Sequence, residues 1–267
     1  MTARHDIGPE AILEAARDYA RRGIAVFPLH HVLPQLPPND DKFMCSCGRL
    51  TCGANAGKHP FAPLVPHGFK DATTDEAKVR HWWLYRSGAN IGIRTGGVFF
   101  VLDVDPRNGG VESMRELQAK HGKLPSPTPR AMTGGGGWHV YLKDPTGQMG
   151  CRMLAPGVDI KGLGGYVLGP PSNHLSGNSY RWQLNLDVPF AEAPAWMLDL
   201  ASKGAIARPT EHWRGLIEST VEGSRNVTLD GQAVAVPRRP RPYQQHPPRL
   251  ESDVRAAGGQ ALGGEQD

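Results

Sequence analysis

The run Val98-Phe-Phe-Val-Leu-Asp-Val-Asp105 limits what this chain can become more than any other stretch. Its apolar part, Val98 to Leu102, is rich in β-branched and aromatic residues, which predicts a strand covered on both faces. Side chains alternate along a strand, so Asp103 and Asp105 point to the same side. Pro106 and Asn108-Gly109-Gly110 stop the strand just beyond them. The fold class that follows is α/β (α+β), a mixed β-sheet with flanking helices. Two carboxylates at one strand end suit a hard divalent cation such as Mg²⁺ or Mn²⁺, which takes oxygen ligands and bridges to phosphates. A pair of solvated turn carboxylates explains the bare Asp-x-Asp equally well.

Length and charge exclude little. The 267 residues hold one large domain or two small ones, and a net charge of +4 neither requires nor forbids a nucleic-acid partner. No apolar stretch approaches a membrane span, and Glu10, Glu14, Arg17 and Asp18 interrupt any signal-peptide core. The expectation is a cytoplasmic protein without a membrane partner. In that compartment cysteines are metal ligands or bystanders more often than disulfides.

Before the aspartate strand, Pro9 to Arg22 has helical periodicity through Ile12, Ala16, Tyr19 and Ala20, and Gly23 can end it. A short strand, 24–29, and a Pro- and Asn-rich loop lead to Cys45-Ser-Cys47-Gly-Arg-Leu-Thr-Cys52 and Gly57-Lys-His59. Three thiols and an imidazole with glycines between them make a closed tetrahedral Zn²⁺ set, in an insertion at about 43–60. The alternative is reduced thiols in a flexible loop. Cys151 stands apart and is expected to be a small buried hydrophobe. Thr73 and Glu76 have capping-box spacing before a helix with Val79, Trp82, Trp83 and Tyr85 on its apolar side. Asn90 to Gly97 gives a strand and a glycine turn; Arg94 there would reach a phosphate or a surface carboxylate.

After the aspartates comes a helix, 111–121, with Met114 and Leu117 inward. Thr133-Gly-Gly-Gly-Gly-Trp138-His139-Val-Tyr141 is then a glycine loop entering a strand. Such a loop exposes backbone N–H groups to a phosphate, although a hairpin turn accounts for it as well. Asp159 and Lys161 share one face of a strand. A third carboxylate completes the ligands of a two-metal site, and a lysine beside it would offset phosphate charge. His174, Tyr180 and Trp182 lie on a final hairpin before a helix at 193–201.

In order and spacing these stretches resemble the N-terminal domain of bifunctional DNA primase/polymerases (Prim-Pol), of the archaeo-eukaryotic primase superfamily. The carrying residues are Asp103-x-Asp105, Gly-Trp-His139-x-Tyr, Val158-Asp159-Ile-Lys161 with Gly-Gly-Tyr166, and Pro170-Pro-Ser172. Gly-Phe69-Lys-Asp-Ala-Thr73 and Asn90-Ile-Gly-Ile-x-Thr-Gly96 also fit. The resemblance implies a primase-polymerase core over 9–203 that joins nucleoside triphosphates on a single-stranded DNA template. In it Asp103, Asp105 and Asp159 would hold catalytic Mg²⁺ or Mn²⁺. His139 would contact the nucleotide's phosphates, with Lys161, Arg94 and Ser172 as further nucleotide-binding candidates. Cys45, Cys47, Cys52 and His59 would hold Zn²⁺. The superfamily often has Ser two residues before this His; here that position is Gly137. Rival readings are a metal-dependent phosphoesterase or nuclease, and a non-catalytic single-strand-binding remnant.

Residues 204–230 are expected to begin a following helical segment. The stretch 231–267, with Pro237-Arg-Arg-Pro-Arg-Pro242, is expected to be disordered. No Gly-x₄-Gly-Lys-Ser/Thr motif occurs. Any helicase partner would sit on another chain or on a full-length protein, of which this sequence would be a truncated or frame-shifted form.

Overall fold

Burial along one side of the first helix decides how the N-terminal half packs. In the computed structural model, which describes residues 7–34 and 43–202, α1 (Pro9–Arg21) buries Ile12, Ala16, Tyr19 and Ala20, the stripe expected of it. These side chains rest on α2 (Glu76–Tyr85) and on a three-stranded antiparallel sheet. That sheet is formed by β1 (Val26–Leu29), β4 (Asn90–Arg94) and β10 (Tyr166–Gly169), in the order β1-β4-β10. Between β1 and β4 the chain adds a two-stranded ribbon, β2 (Val32–Pro34) with β3 (Phe43–Cys45), which opens the cysteine-bearing insertion.

The second sheet carries the aspartates. It contains β5 (Phe99–Val104), β6 (Arg130–Met132), β7 (Trp138–Lys143), β8 (Arg152–Ala155), β9 (Val158–Lys161) and β11 (Arg181–Leu184). Their order is β11-β6-β7-β5-β9-β8, all antiparallel, and β12 (Ala191–Glu192) adds a parallel pair to β7. The expected mixed α/β class holds, with its strands divided among separate sheets.

β5 lies between β7 and β9 and is covered on both faces. Phe99 and Val101 join the core shared with α1, α2 and the small sheet. Phe100, Leu102 and Val104 join a second core beneath α3 (Gly110–His121) and α4 (Ala195–Ser202), with Met114, Val140, Ile160 and Met197. Truncating a fully buried residue such as Leu102 to Ala would cost about 2–5 kcal/mol. The alternation puts Asp103 on the face of Val101, at the end of the strand, where the apolar cover stops.

Four local expectations are corrected. Val98 is 70% exposed and precedes the strand. The N-cap of α2 is Asp75, whose carboxylate accepts from Ala77 and Lys78 N–H, while Thr73 Oγ1 accepts from Asp75 N–H. Aspartate is as good a cap and sits two residues nearer the first turn. Tyr85 is 66% exposed because the buried stripe of α2 is Val79, Trp82 and Trp83. Cys151 is exposed, at the edge of β8, with its thiol towards the Gly162 carbonyl. Among the described residues no helix is long and apolar enough to cross a membrane. The segments expected at 204–230 and 231–267, and most of the Pro-rich loop, lie outside the described residues.

Candidate active site and metal centre

Antiparallel pairing assembles the site. β5 and β7 set Asp103 opposite His139, and β5 and β9 set Asp103 opposite Asp159. Directly opposed residues share a face at close range, so one strand position gathers two carboxylates and an imidazole. His139 is buried, and its Nε2 lies 3.5 Å from Asp103 Oδ1. Lys161, one face-step along β9, places Nζ 2.9 Å from Asp159 Oδ2 and 3.8 Å from Asp103 Oδ2. An ammonium bridges the two carboxylates. Burial alone would raise Asp103, but His139, then Lys161 and Lys58, hold it below the usual carboxylate value.

Asp105 is on the same side but is turned into its own loop. It caps the 3₁₀ turn Pro106–Asn108. The Arg107 guanidinium donates to it through Nε at 3.0 Å and Nη2 at 2.9 Å, and Asn108 Nδ2 donates at 3.0 Å. This fork, against a smaller opposing effect of burial, holds Asp105 below the usual range. Of the three expected carboxylates, two are drawn together and the third is engaged by an arginine.

The glycine loop at 133–136 is held by the opposite hairpin. Ser176 Oγ donates to the Gly134 carbonyl at 2.7 Å, and Ser176 N–H donates to His174 Nδ1 at 3.1 Å. A Cβ on Gly134 would sit 2.1 Å from His174 Cβ, so only glycine fits. Burial, reinforced by Lys58 and Arg107, pushes His174 down to about 4 and keeps it neutral. Gly137 has a similar explanation: a Cβ there would lie 2.2 Å from the Val104 carbonyl oxygen. The position usually held by Ser has no room for a side chain, and Thr133 Oγ1 accepts the Gly137 N–H instead.

Two expected nucleotide ligands fall elsewhere. Ser172 is fully buried, its Oγ accepting from Ile91 N–H at 2.9 Å, so it braces β4 and does not face the carboxylates. Arg94 is exposed at the end of β4, opposite Tyr166 in the small sheet. Conversely, Lys58, Arg107, His174 and Tyr180 surround the aspartates and were not legible as site residues. Lys58 is held below the usual lysine value by burial first and then Arg107, and raised by Asp103 and Asp105. Tyr180 packs its ring 5.8 Å from that of His139. Lys58, His174 and Tyr180 come from segments that only the tertiary fold brings near; the Asp-Pro-Arg spacing of Arg107 was the one local signal.

The cysteine–histidine set is a second centre. One ligand atom from each of Cys45, Cys47, Cys52 and His59 lies within 4.8 Å of all the others; among the described residues no other such group exists. Cys45 Sγ is 3.2 Å from His59 Nε2, and Cys47 Sγ is 3.3 Å from Cys52 Sγ. Tetrahedral zinc with bonds of about 2.0–2.3 Å needs ligand separations of roughly 3.5–3.8 Å, so a small outward adjustment fits the ion. Backbone N–H groups of Arg49 and Gly57 point at Cys47 and Cys45 sulfur, as suits thiolates. Burial pushes Cys45 up and Cys52 up to about 12, so the thiols resist joint ionisation unless a cation compensates them. The group is a possible zinc site.

A family described as bifunctional DNA primase/polymerase, N-terminal, matches residues 16–196, well over half of the chain. The chain belongs to this Prim-Pol family. The match spans the Cys–His insertion, all three aspartates, His139 and Lys161. No curated protein matches the chain.

Proposed function

We propose that this Prim-Pol chain is a nucleotidyltransferase that makes or extends primers on single-stranded DNA from nucleoside triphosphates. The observation that carries the reading is Asp103 flanked in register by His139 and Asp159, with Lys161 across both carboxylates. Asp103, Asp159 and, once released by Arg107, Asp105 are hard oxygen donors that would hold Mg²⁺ or Mn²⁺. Such ions, when bound, would supply acidity to a primer 3′-hydroxyl and charge neutralisation to the triphosphate. Lys161 and Arg107 now balance the carboxylates, and both would be free to turn to phosphate oxygens when a cation takes their place. His139 keeps Asp103 ionised and presents only its Nε2 edge to the site, so any phosphate contact is made there. Zn²⁺ would be structural. A helicase would lie on another chain or on a full-length form of this protein.

The test is synthesis on a single-stranded template with labelled nucleotides and Mg²⁺ or Mn²⁺, with and without primer, beside the Asp103→Ala/Asp105→Ala double variant. Metal-dependent product that disappears in the variant is the expected result. Absence of product from folded, zinc-loaded protein would overturn it, and primer degradation would favour phosphoester hydrolysis.

A further inference from the structure

The segment Gly57-Lys58-His59 links the two centres: Gly57 and His59 are tied to the thiol cluster, and Lys58 acts on Asp103 and Asp105. Three successive carbonyls are each tied to a different part of the fold. Gly57 O accepts from Asn90 Nδ2 on β4 at 2.9 Å. Lys58 O accepts from the Tyr166 hydroxyl on β10 at 2.9 Å. His59 O accepts from His30 N–H, just after β1, at 2.9 Å. The same segment is tied into the thiol cluster, since Gly57 N–H points at Cys45 Sγ and His59 supplies the imidazole. Gly57 itself has φ +71, and a Cβ there would meet Val32 Cγ1 at 2.9 Å. The backbone of Lys58 has little freedom, and its direction is set from both ends.

The Lys58 side chain is half-buried, and its charge acts on Asp103 and His174. Among the described residues it has no ion pair of its own. Lys161 is bound to Asp159 and Asp103, and Arg107 to Asp105. Asn90 Nδ2 joins Gly57 O to Asn173 O, so the Lys58 segment lies against the His174 turn, and a cation there, acting on Asp103 and Asp105 but ion-paired to neither, is placed to receive an anion that enters with a divalent metal. A compact ammonium with three donors suits a phosphate oxygen.

We propose that Lys58 binds the triphosphate of the incoming nucleotide, and that the Cys–His loop presents it, so that zinc in the loop governs nucleotide affinity. The inference rests on the nucleotidyl-transfer reading above. It goes further in giving the insertion a function at the active site in addition to its own folding.

The experiment is a calorimetric titration of the full zinc-loaded chain with deoxyadenosine α,β-imidotriphosphate and Mg²⁺, for wild type, Lys58→Met and Lys58→Arg. Each is measured again after chelation of zinc, with zinc content and thermal melting recorded. Lys58→Met should weaken binding by about 10–100-fold while keeping its zinc, with Lys58→Arg intermediate. Zinc removal should weaken the wild type by a comparable factor and add less than about threefold to Lys58→Met, because coupled changes are not additive. Should Lys58→Met melt early or lose zinc, Lys58→Arg decides: affinity near wild type supports the proposal, and loss as large as in Lys58→Met overturns it. Wild-type affinity in a folded Lys58→Met, or effects of zinc and Lys58 that simply multiply, would also overturn it. If the wild type binds nucleotide and extends primers while Lys58→Met is unaltered, this inference alone fails. If the zinc-loaded wild type binds no nucleotide, it fails together with the reading beneath it.

Discussion

The cysteine–histidine loop and the carboxylate cleft are both ligand clusters, yet they are built in opposite ways. In the loop, four donors already lie within 4.8 Å of one another, with backbone N–H groups turned towards the sulfurs. In the cleft, the donors are kept in balance by the protein's own cations, Lys161 on Asp159 and Arg107 on Asp105. A cluster of soft thiols converges on one point and is closed. A cluster of hard carboxylates, unable to lie together uncompensated, is held by groups that can be displaced. The first arrangement favours permanent occupancy and the second favours exchange.

That contrast can be broken most sharply at Asp103. Asp103→Ala should lower the rate of nucleotide incorporation by about 10³-fold or more, since charge stabilisation by a bound cation contributes several kcal/mol to such reactions. Its melting temperature should change far less than its rate. Equal losses of rate and fold would show that the cleft is as structural as the loop.

Cys52→Ser should do the reverse. We expect loss of bound zinc and about 3 kcal/mol of stability, seen as a melting temperature lower by about 6–12 °C. Thermal melting with metal analysis checks it; an unchanged melt would remove the structural role.

The cleft should also respond to acid through His174. Its folded value of about 4 lies below its ordinary 6.5. The unfolded chain therefore takes up the proton first as pH falls. The stability carried by neutral His174 is complete above pH 6.5 and is lost progressively down to about pH 4. Taken in full the shift is worth roughly 3.4 kcal/mol, which solvent screening at this partly open site lowers to about 2–3 kcal/mol. His30 and His31 are held down by burial and add to the same window. The readout is accordingly the difference between wild type and His174→Gln in denaturant melts at pH 7 and pH 4.5. Parallel pH curves for the two proteins would refute the assignment.

The smallest effect concerns Gly137. Restoring the more usual serine, Gly137→Ser, should destabilise by about 1–3 kcal/mol through the contact with the Val104 carbonyl, with no gain in nucleotide affinity. Tighter nucleotide binding in that variant would show that the strand end gives way.

Much of this was visible in the sequence because it depends on local pattern. The alternation of β5 placed Asp103, and the spacing of thiols and imidazole marked the loop. The stripe of α1 also follows directly from helical geometry. What escaped depends on pairings between distant segments. Lys58 lies inside the cysteine motif, and nothing near it in the chain says that β10 will hold its carbonyl. Ser172 follows the Pro-Pro stop in a segment that resembles a nucleotide-binding one, but its hydroxyl is used to satisfy Ile91 N–H. The exposed Val98 and the Asp75 cap show the ordinary limit of pattern reading at element ends, where one residue decides between burial and solvent.

The ladder around β7 has a consequence for motion. Along its first half β7 pairs with β6, along its second half with β12, and on its other side with β5 throughout. A strand tied on both edges has no edge from which to fray. Its amides, His139 included, should exchange with deuterium only through the largest openings of the domain. The glycine turn immediately before it lacks such a ladder and should exchange orders of magnitude sooner. The histidine beside the aspartates would thus keep its place even through fluctuations that open the ties between the preceding loop and its hairpin.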